Sequence, residues 1–177
     1  MAPESPNLVA LEAAYRRGRR ARVLVELVPV VLYVAVLGLV SGLRPQVFAA
    51  MAFALLLAIV GLWRGQGMGR AVYPGLLVGL VPFACSFAGG RLGHVCTGDT
   101  CVSLCMPLCA LGGAVAGLLV ARAVRRDPST VLALGMGSLA LAVGSLGCPH
   151  AGLTSLTAMG LGILVPLGFA RLFARSA

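Results

Sequence analysis

The sequence predicts an all-α polytopic membrane protein, a compact bundle of six transmembrane helices with both termini in the cytoplasm. Three observations predict it. Hydrophobic residues make up 59% of the 177-residue chain and charged residues only 11%, which is too little polar surface to cover a soluble domain of this size. Cutting the chain at its charges leaves six apolar pieces close to the roughly 20 residues that cross a bilayer as a helix. The arginines then fall almost entirely on one side of those pieces.

The pieces cover residues 23–43, 47–63, 71–89, 102–121, 129–147 and 153–170. Their apolar runs are continuous and lack the period-two alternation of a transmembrane barrel. A mostly polar stretch precedes the first piece, which is too long for a cleaved signal and reads as a signal anchor. That stretch, residues 1–22, is set apart as a cytoplasmic basic segment from a transmembrane domain of residues 23–177. Within it, NLVALEAAYRRGRRAR predicts a short helix with Leu8, Leu11 and Tyr15 on one face and its basic end at the inner membrane surface.

Glu26 is the one acidic residue inside any piece, near the polar end of the first. The second piece is short for a span. The third and fourth carry Gly75-x-x-x-Gly79 and Gly113-x-x-x-Gly117, small residues spaced to let helix backbones approach closely. Such packing serves a single chain as well as a dimer, so the oligomeric state stays open. Pro29, Pro74, Pro82, Pro107 and Pro166 lie in or at the ends of spans, where each removes a backbone donor. No piece holds a mid-membrane pair of ionisable residues of the kind a pump or secondary transporter uses.

All 14 basic residues are arginine. With the N-terminus inside, the inner side collects Arg16, Arg17, Arg19, Arg20, Arg22, Arg64, Arg70, Arg122, Arg125, Arg126, Arg171 and Arg175, and the outer side keeps Arg44 and Arg91. Arginine-rich short loops stay in the cytoplasm, so both ends lie there. The net charge of +9 is spread over these inner loops with no nucleic-acid-binding fold around it. The expected partner is the lipid bilayer and not nucleic acid. For a soluble partner the inner candidates are Arg16, Arg17, Arg19 and Arg20, with Arg125 and Arg126.

With this topology Cys85, Cys96, Cys101, Cys105, Cys109 and Cys148 all fall in outer loops or outer halves of spans, together with His94 and His150. Cys101, Cys105 and Cys109 are four apart and would line one face of a helix entering the membrane. Cys148-Pro149-His150 follows the fifth span and meets that face if the fourth and fifth spans pack as a hairpin. Thiolate and imidazole ligands suit a soft metal ion such as zinc, cadmium, mercury or copper; in an oxidising compartment the same thiols form disulfides. A single buried cysteine such as Cys109 is equally a small packing residue. No Cys-x-x-Cys pair is present, and Asp99 beside Gly98 reads as a loop residue. The few polar residues fill no catalytic constellation, so no enzyme and no resident cofactor is expected.

Gly42-Leu43-Arg44-Pro45 after the first span, a cysteine opening the fourth, Arg125-Arg126 with Pro128 closing it and Cys148-Pro149 after the fifth resemble the NrsF-type (negative regulator of sigma F) membrane anti-sigma factors. The resemblance implies six spans in the bacterial inner membrane, an extracytoplasmic-function sigma factor as partner, and two outward-facing cysteines that sense heavy metal or oxidant. Cys148 matches the second of these. Cys105 and Cys101 both compete for the first, one by its distance to Arg125-Arg126 and the other by its distance to Cys148. The chain departs from the family in its additional outer cysteines, a shorter fifth segment and the lack of an aromatic pair after Cys-Pro. The alternative expectation is a small heavy-metal transport protein passing a soft ion along the cysteine face. A third is a structural membrane subunit without sensing.

Overall fold

A computed structural model describes residues 6–42, 44–97, 100–127, 129–147 and 153–175. Among them are six helices, α1 (Pro6–Ser41), α2 (Pro45–Arg64), α3 (Gln66–Leu92), α4 (Cys105–Arg126), α5 (Thr130–Ser145) and α6 (Leu153–Arg175). An antiparallel hairpin of β1 (His94–Thr97) and β2 (Thr100–Ser103) joins α3 to α4. Four helical stretches are long and apolar enough to cross a membrane: Arg20–Ser41, Pro45–Arg64, Met68–Leu92 and Cys105–Arg126. The apolar stretches Thr130–Ser145 and Leu156–Phe169 are shorter. The chain is thus a multi-pass membrane protein of largely helical build.

Local signals set the helix limits. Pro45 opens α2 at a position whose N–H has no helical partner in any case. Gly65, at φ +76°, ends α2 and turns directly into α3, a backbone conformation that side-chain-bearing residues avoid. Ser129 caps α5 by accepting the Leu132 N–H on its Oγ at 3.3 Å.

Three boundaries differ from the sequence expectation. The basic segment is no separate surface helix, because α1 runs unbroken from Pro6 through residue 22 into the first span. The second apolar piece is not short as a helix: Pro45 and Arg64 extend it to 20 residues, about 30 Å at 1.5 Å per residue. The fourth helix starts at Cys105 and not at Val102, since residues 100–103 pair as a strand.

Burial follows the pattern of a protein dissolved in lipid. Large apolar side chains such as Leu24, Leu32, Phe48, Leu56, Leu77 and Leu134 point outward, while small residues and Val30, Val34, Val72, Val120, Val143 and Leu146 fill the interior. Water would penalise so large an apolar exterior. Ser86 is the one buried polar side chain among the described residues.

The most extensive contacts join α3 to α5 and α4 to α6. Gly75 lies against Met136 and Leu139, and Gly79 against Ala140 and Val143. Gly113 and Gly117 rest on the backbone of Met159 and Ile163, and Gly162 returns the contact against Ala110 and Ala114. Both small-residue motifs therefore pack within the chain, the use lipid-embedded helices make of them. Two hydroxyls tie α1 to α3: Tyr33 donates to the Leu76 carbonyl at 2.8 Å and Tyr73 to the Glu26 carbonyl at 3.0 Å.

These contacts predict opposite signs for one chemical change. A Cβ at Gly117 would lie 2.6 Å from the Ile163 carbonyl oxygen, whereas one at Gly168 meets nothing within 4 Å. Gly117→Ala should destabilise by about 1–3 kcal/mol, the usual cost of overpacking. Gly168→Ala should be neutral or stabilise by up to ~1 kcal/mol through helix propensity. Reversible unfolding in mixed micelles measures both.

Candidate functional site

Short connections make successive helices antiparallel, so the bundle has two chemically distinct ends. One end carries the β hairpin, the start of α4 and the end of α5. The other carries the end of α4 and most of the arginines.

At the hairpin end, α3 and α4 clamp a group of sulfur and hydroxyl atoms. Cys105 is the first residue of α4, half-buried, and Cys109 lies one turn further in, fully buried. Their Sγ atoms are 4.0 Å apart. The Cys109 Sγ is also 3.3 Å from Oγ of Ser86 on α3. Cys85, half-buried, packs toward Gly112 of α4. No group of three His, Cys, Asp or Glu side chains converges at metal-binding spacing among the described residues.

The three cysteines spaced four apart do not share a helix face. Cys101 belongs to β2, and only Cys105 and Cys109 stack along α4. A helix holds Cβ atoms four apart about 5–6 Å from each other, wider than the roughly 3.5–4.5 Å that a disulfide spans. Cys105 and Cys109 therefore cannot bridge while α4 is intact. His94, Cys96 and Cys101 are placed by backbone on the hairpin, with Cys96 directly opposite Cys101.

Cys148 and His150 lie outside the described residues. Gly147, which closes the described stretch, packs on Phe83, Ser86 and Phe87 of α3. The end of α5 thus approaches the sulfur group chiefly along α3, its most extensive partner, with a smaller contact to α4. At this end Arg91 sits over the Phe87 ring, 5.0 Å from its centroid, and Phe87 stacks with Phe83 at 6.0 Å. That cation–π contact holds one of the end's two arginines against the protein.

At the opposite end, Arg122 and Arg125 line a crevice of about 470 Å³ between α4 and α6, walled by Leu118, Val165, Pro166 and Phe169. Arg126, next in sequence to Arg125, is exposed, and so are Arg64 and Arg70 on either side of the α2–α3 turn. Arg20 is exposed on α1, and Arg22 pairs with Glu26 one turn on at 2.9 Å. Arg16, Arg17 and Arg19 lie on the first part of α1, ahead of the stretch that can cross a membrane.

Two features of the site escaped the sequence. Ser86 looked like any small polar residue, and only the fold shows it bridging α3 to Cys109. The hairpin did leave a signal: β-branched Val95, Thr97, Thr100 and Val102 flank Gly98-Asp99, a residue pair suited to a two-residue turn. No family model, no curated protein and no solved structure matches the chain.

Thiol reactivity depends on access, so the cysteines should separate by burial. Maleimide applied to the protein in micelles should modify Cys85 and Cys105 at least about tenfold faster than Cys109, which reacts fully only after denaturation. Peptide-resolved alkylation rates check this.

Proposed function

We propose that the chain is a membrane-embedded anti-sigma factor of the bacterial inner membrane. In this reading all six helices cross or complete the bilayer, both termini lie in the cytoplasm, and the arginine end faces inward. That end holds an extracytoplasmic-function sigma factor and releases it when thiols at the outer end meet a soft metal ion or an oxidant.

One observation carries the reading. A single unbroken helix, α4, has Cys105 as its first residue and Arg125 and Arg126 in its last turn. A rigid element that begins in the thiol group and ends in the basic crevice gives a chemical event outside a physical route inward. The arginine distribution supports the orientation, since helix direction sends twelve of the arginines to one end. The resemblance to NrsF-type proteins in Gly42-Leu43-Arg44-Pro45, Arg125-Arg126 and Cys148-Pro149 supplies the partner class.

The crevice suits such a partner. Arg122 and Arg125 offer charge in its lining and Val165 and Phe169 offer apolar wall, a combination that fits an acidic amphipathic helix. The short α5 fits six crossings because its main neighbours, α3, α2 and α4, carry the full thickness and bury it.

The test is capture of an extracytoplasmic-function sigma factor by the tagged protein in detergent extract of its own cells. Capture is expected, and release should follow addition of cadmium or a thiol oxidant. Arg122→Glu with Arg125→Glu should weaken capture at least about tenfold, or 1.4 kcal/mol. Cys105→Ser with Cys148→Ser should leave capture intact and abolish release. Release by metal from that double variant, with the protein still made, would show that the thiols do not sense.

A further inference from the structure

Strand register, which sequence spacing does not reveal, singles out one pair among the cysteines. Cys96 on β1 stands opposite Cys101 on β2, with Val95 opposite Val102 and His94 opposite Ser103. One step outside this ladder the Leu104 N–H donates to the Gly93 carbonyl at 3.3 Å. Bonded and unbonded pairs alternate along an antiparallel ladder. Gly93 with Leu104 is a bonded position, so His94 with Ser103 is unbonded, Val95 with Val102 bonded, and Cys96 with Cys101 unbonded.

That parity matters for sulfur chemistry. Unbonded pairs bring Cα atoms closest, to about 4.5 Å, inside the roughly 4.4–6.8 Å over which a disulfide closes. Among the cysteines whose backbone is described, this is the pair brought within that distance by strand register; Cys105 and Cys109 are held on their helix with Cβ atoms about 5–6 Å apart, too far for a disulfide.

We infer that Cys96 and Cys101 form a reversible disulfide pair, closed by small disulfide oxidants and opened by small thiols. The thiolate of one cysteine attacks an oxidised glutathione molecule and expels one glutathione thiolate, leaving a mixed disulfide. The second cysteine thiolate then attacks the protein-bound sulfur and expels the other glutathione. Two protein thiols are oxidised, one external disulfide is reduced to two thiols, and the two protons the protein thiols give up end on the departing glutathione thiolates. The loop closed is short, so the bond constrains the hairpin far more than the whole fold. The hairpin is also the whole connection between α3 and α4 apart from Gly93 and Leu104. The state of the pair therefore bears on the two helices that hold Cys85, Ser86, Cys105 and Cys109.

The inference rests on the proposed function only for the oxidising compartment outside the membrane. Its chemistry is tested on the purified full-length protein in micelles, equilibrated with glutathione and its disulfide, acid-quenched and alkylated with maleimide. A chymotryptic fragment cut after Leu92 and Leu104 carries both cysteines. In excess oxidised glutathione it should appear two hydrogens lighter and unalkylated; in excess reduced glutathione it should take two maleimides. A register control is Cys101→Ser with Val102→Cys, which moves the thiol to the other face and should lower disulfide yield at least about tenfold. Two maleimides under oxidising conditions would overturn the inference. So would a cross-link from Cys96 to Cys85, Cys105 or Cys148. Protection that ends on chelation, with no hydrogens lost, would also overturn it, pointing to a bound metal in place of a disulfide. These failures leave sigma-factor capture and release untouched, whereas a bridge that forms without any capture counts against the function alone.

Discussion

Where α4 crosses α6, Gly113 and Gly117 let one helix backbone rest on the backbone of Met159 and Ile163, and the arrangement of the rest depends on that spacing. Lipid tails are as apolar as leucine, so burial alone gives helices no reason to associate in a bilayer. Association must come from contact at short range, and only residues without bulk permit it. The same device recurs between α3 and α5, where Gly75, Gly79, Gly144 and Gly147 meet the opposing helix. The two close pairs, bridged by the contact of α3 on α4, place Cys109 beside Ser86 and bring the end of α5 to the same spot. A wider bundle would separate these groups.

The helical content was legible because the sequence spells it with apolar length, and length is what a bilayer demands. Gly75-x-x-x-Gly79 and Gly113-x-x-x-Gly117 likewise announced close packing, though not their partners. Which helix faces which is a property of three-dimensional fit, so the dominance of α3 on α5 and α4 on α6 could not be read from order along the chain. The start of α4 at Cys105 and not Val102 has a definite physical reason. Cys101, Cys105 and Cys109 mimic a helical stripe, yet alternation of β-branched residues around Gly98-Asp99 favours a hairpin there, and the strand pairing takes Cys101 out of the helix.

For the candidate site, sequence identified the residue types and the ends they occupy, and structure sorted them. Cys109 is as much a packing residue as a chemical one, buried against Ser86. Cys105 sits at the helix start, where access is greater. Cys96 and Cys101 face each other across the ladder. The described cysteines are thus not one site but three environments: a buried hydroxyl-bonded thiol, half-buried thiols at a helix interface, and a pair opposite each other in the strand register. Each has its own chemistry, and a single metal-ligand set is not what the described side chains form.

The continuity of α1 has a mechanical consequence. Pro6–Ser41 is one helix of 36 residues, about 54 Å long at 1.5 Å per residue, and the stretch that can cross a membrane begins only at Arg20. The part before it is a stiff arm of about 21 Å with its fulcrum among Tyr33, Tyr73 and Leu76. A change of tilt of about 10° about that fulcrum, which lies about 40 Å from Pro6, would swing the tip by about 7 Å. Leu8, Leu11 and Tyr15 ride on that arm, so it turns a small motion within the bilayer into a displacement large enough to make or break a protein contact.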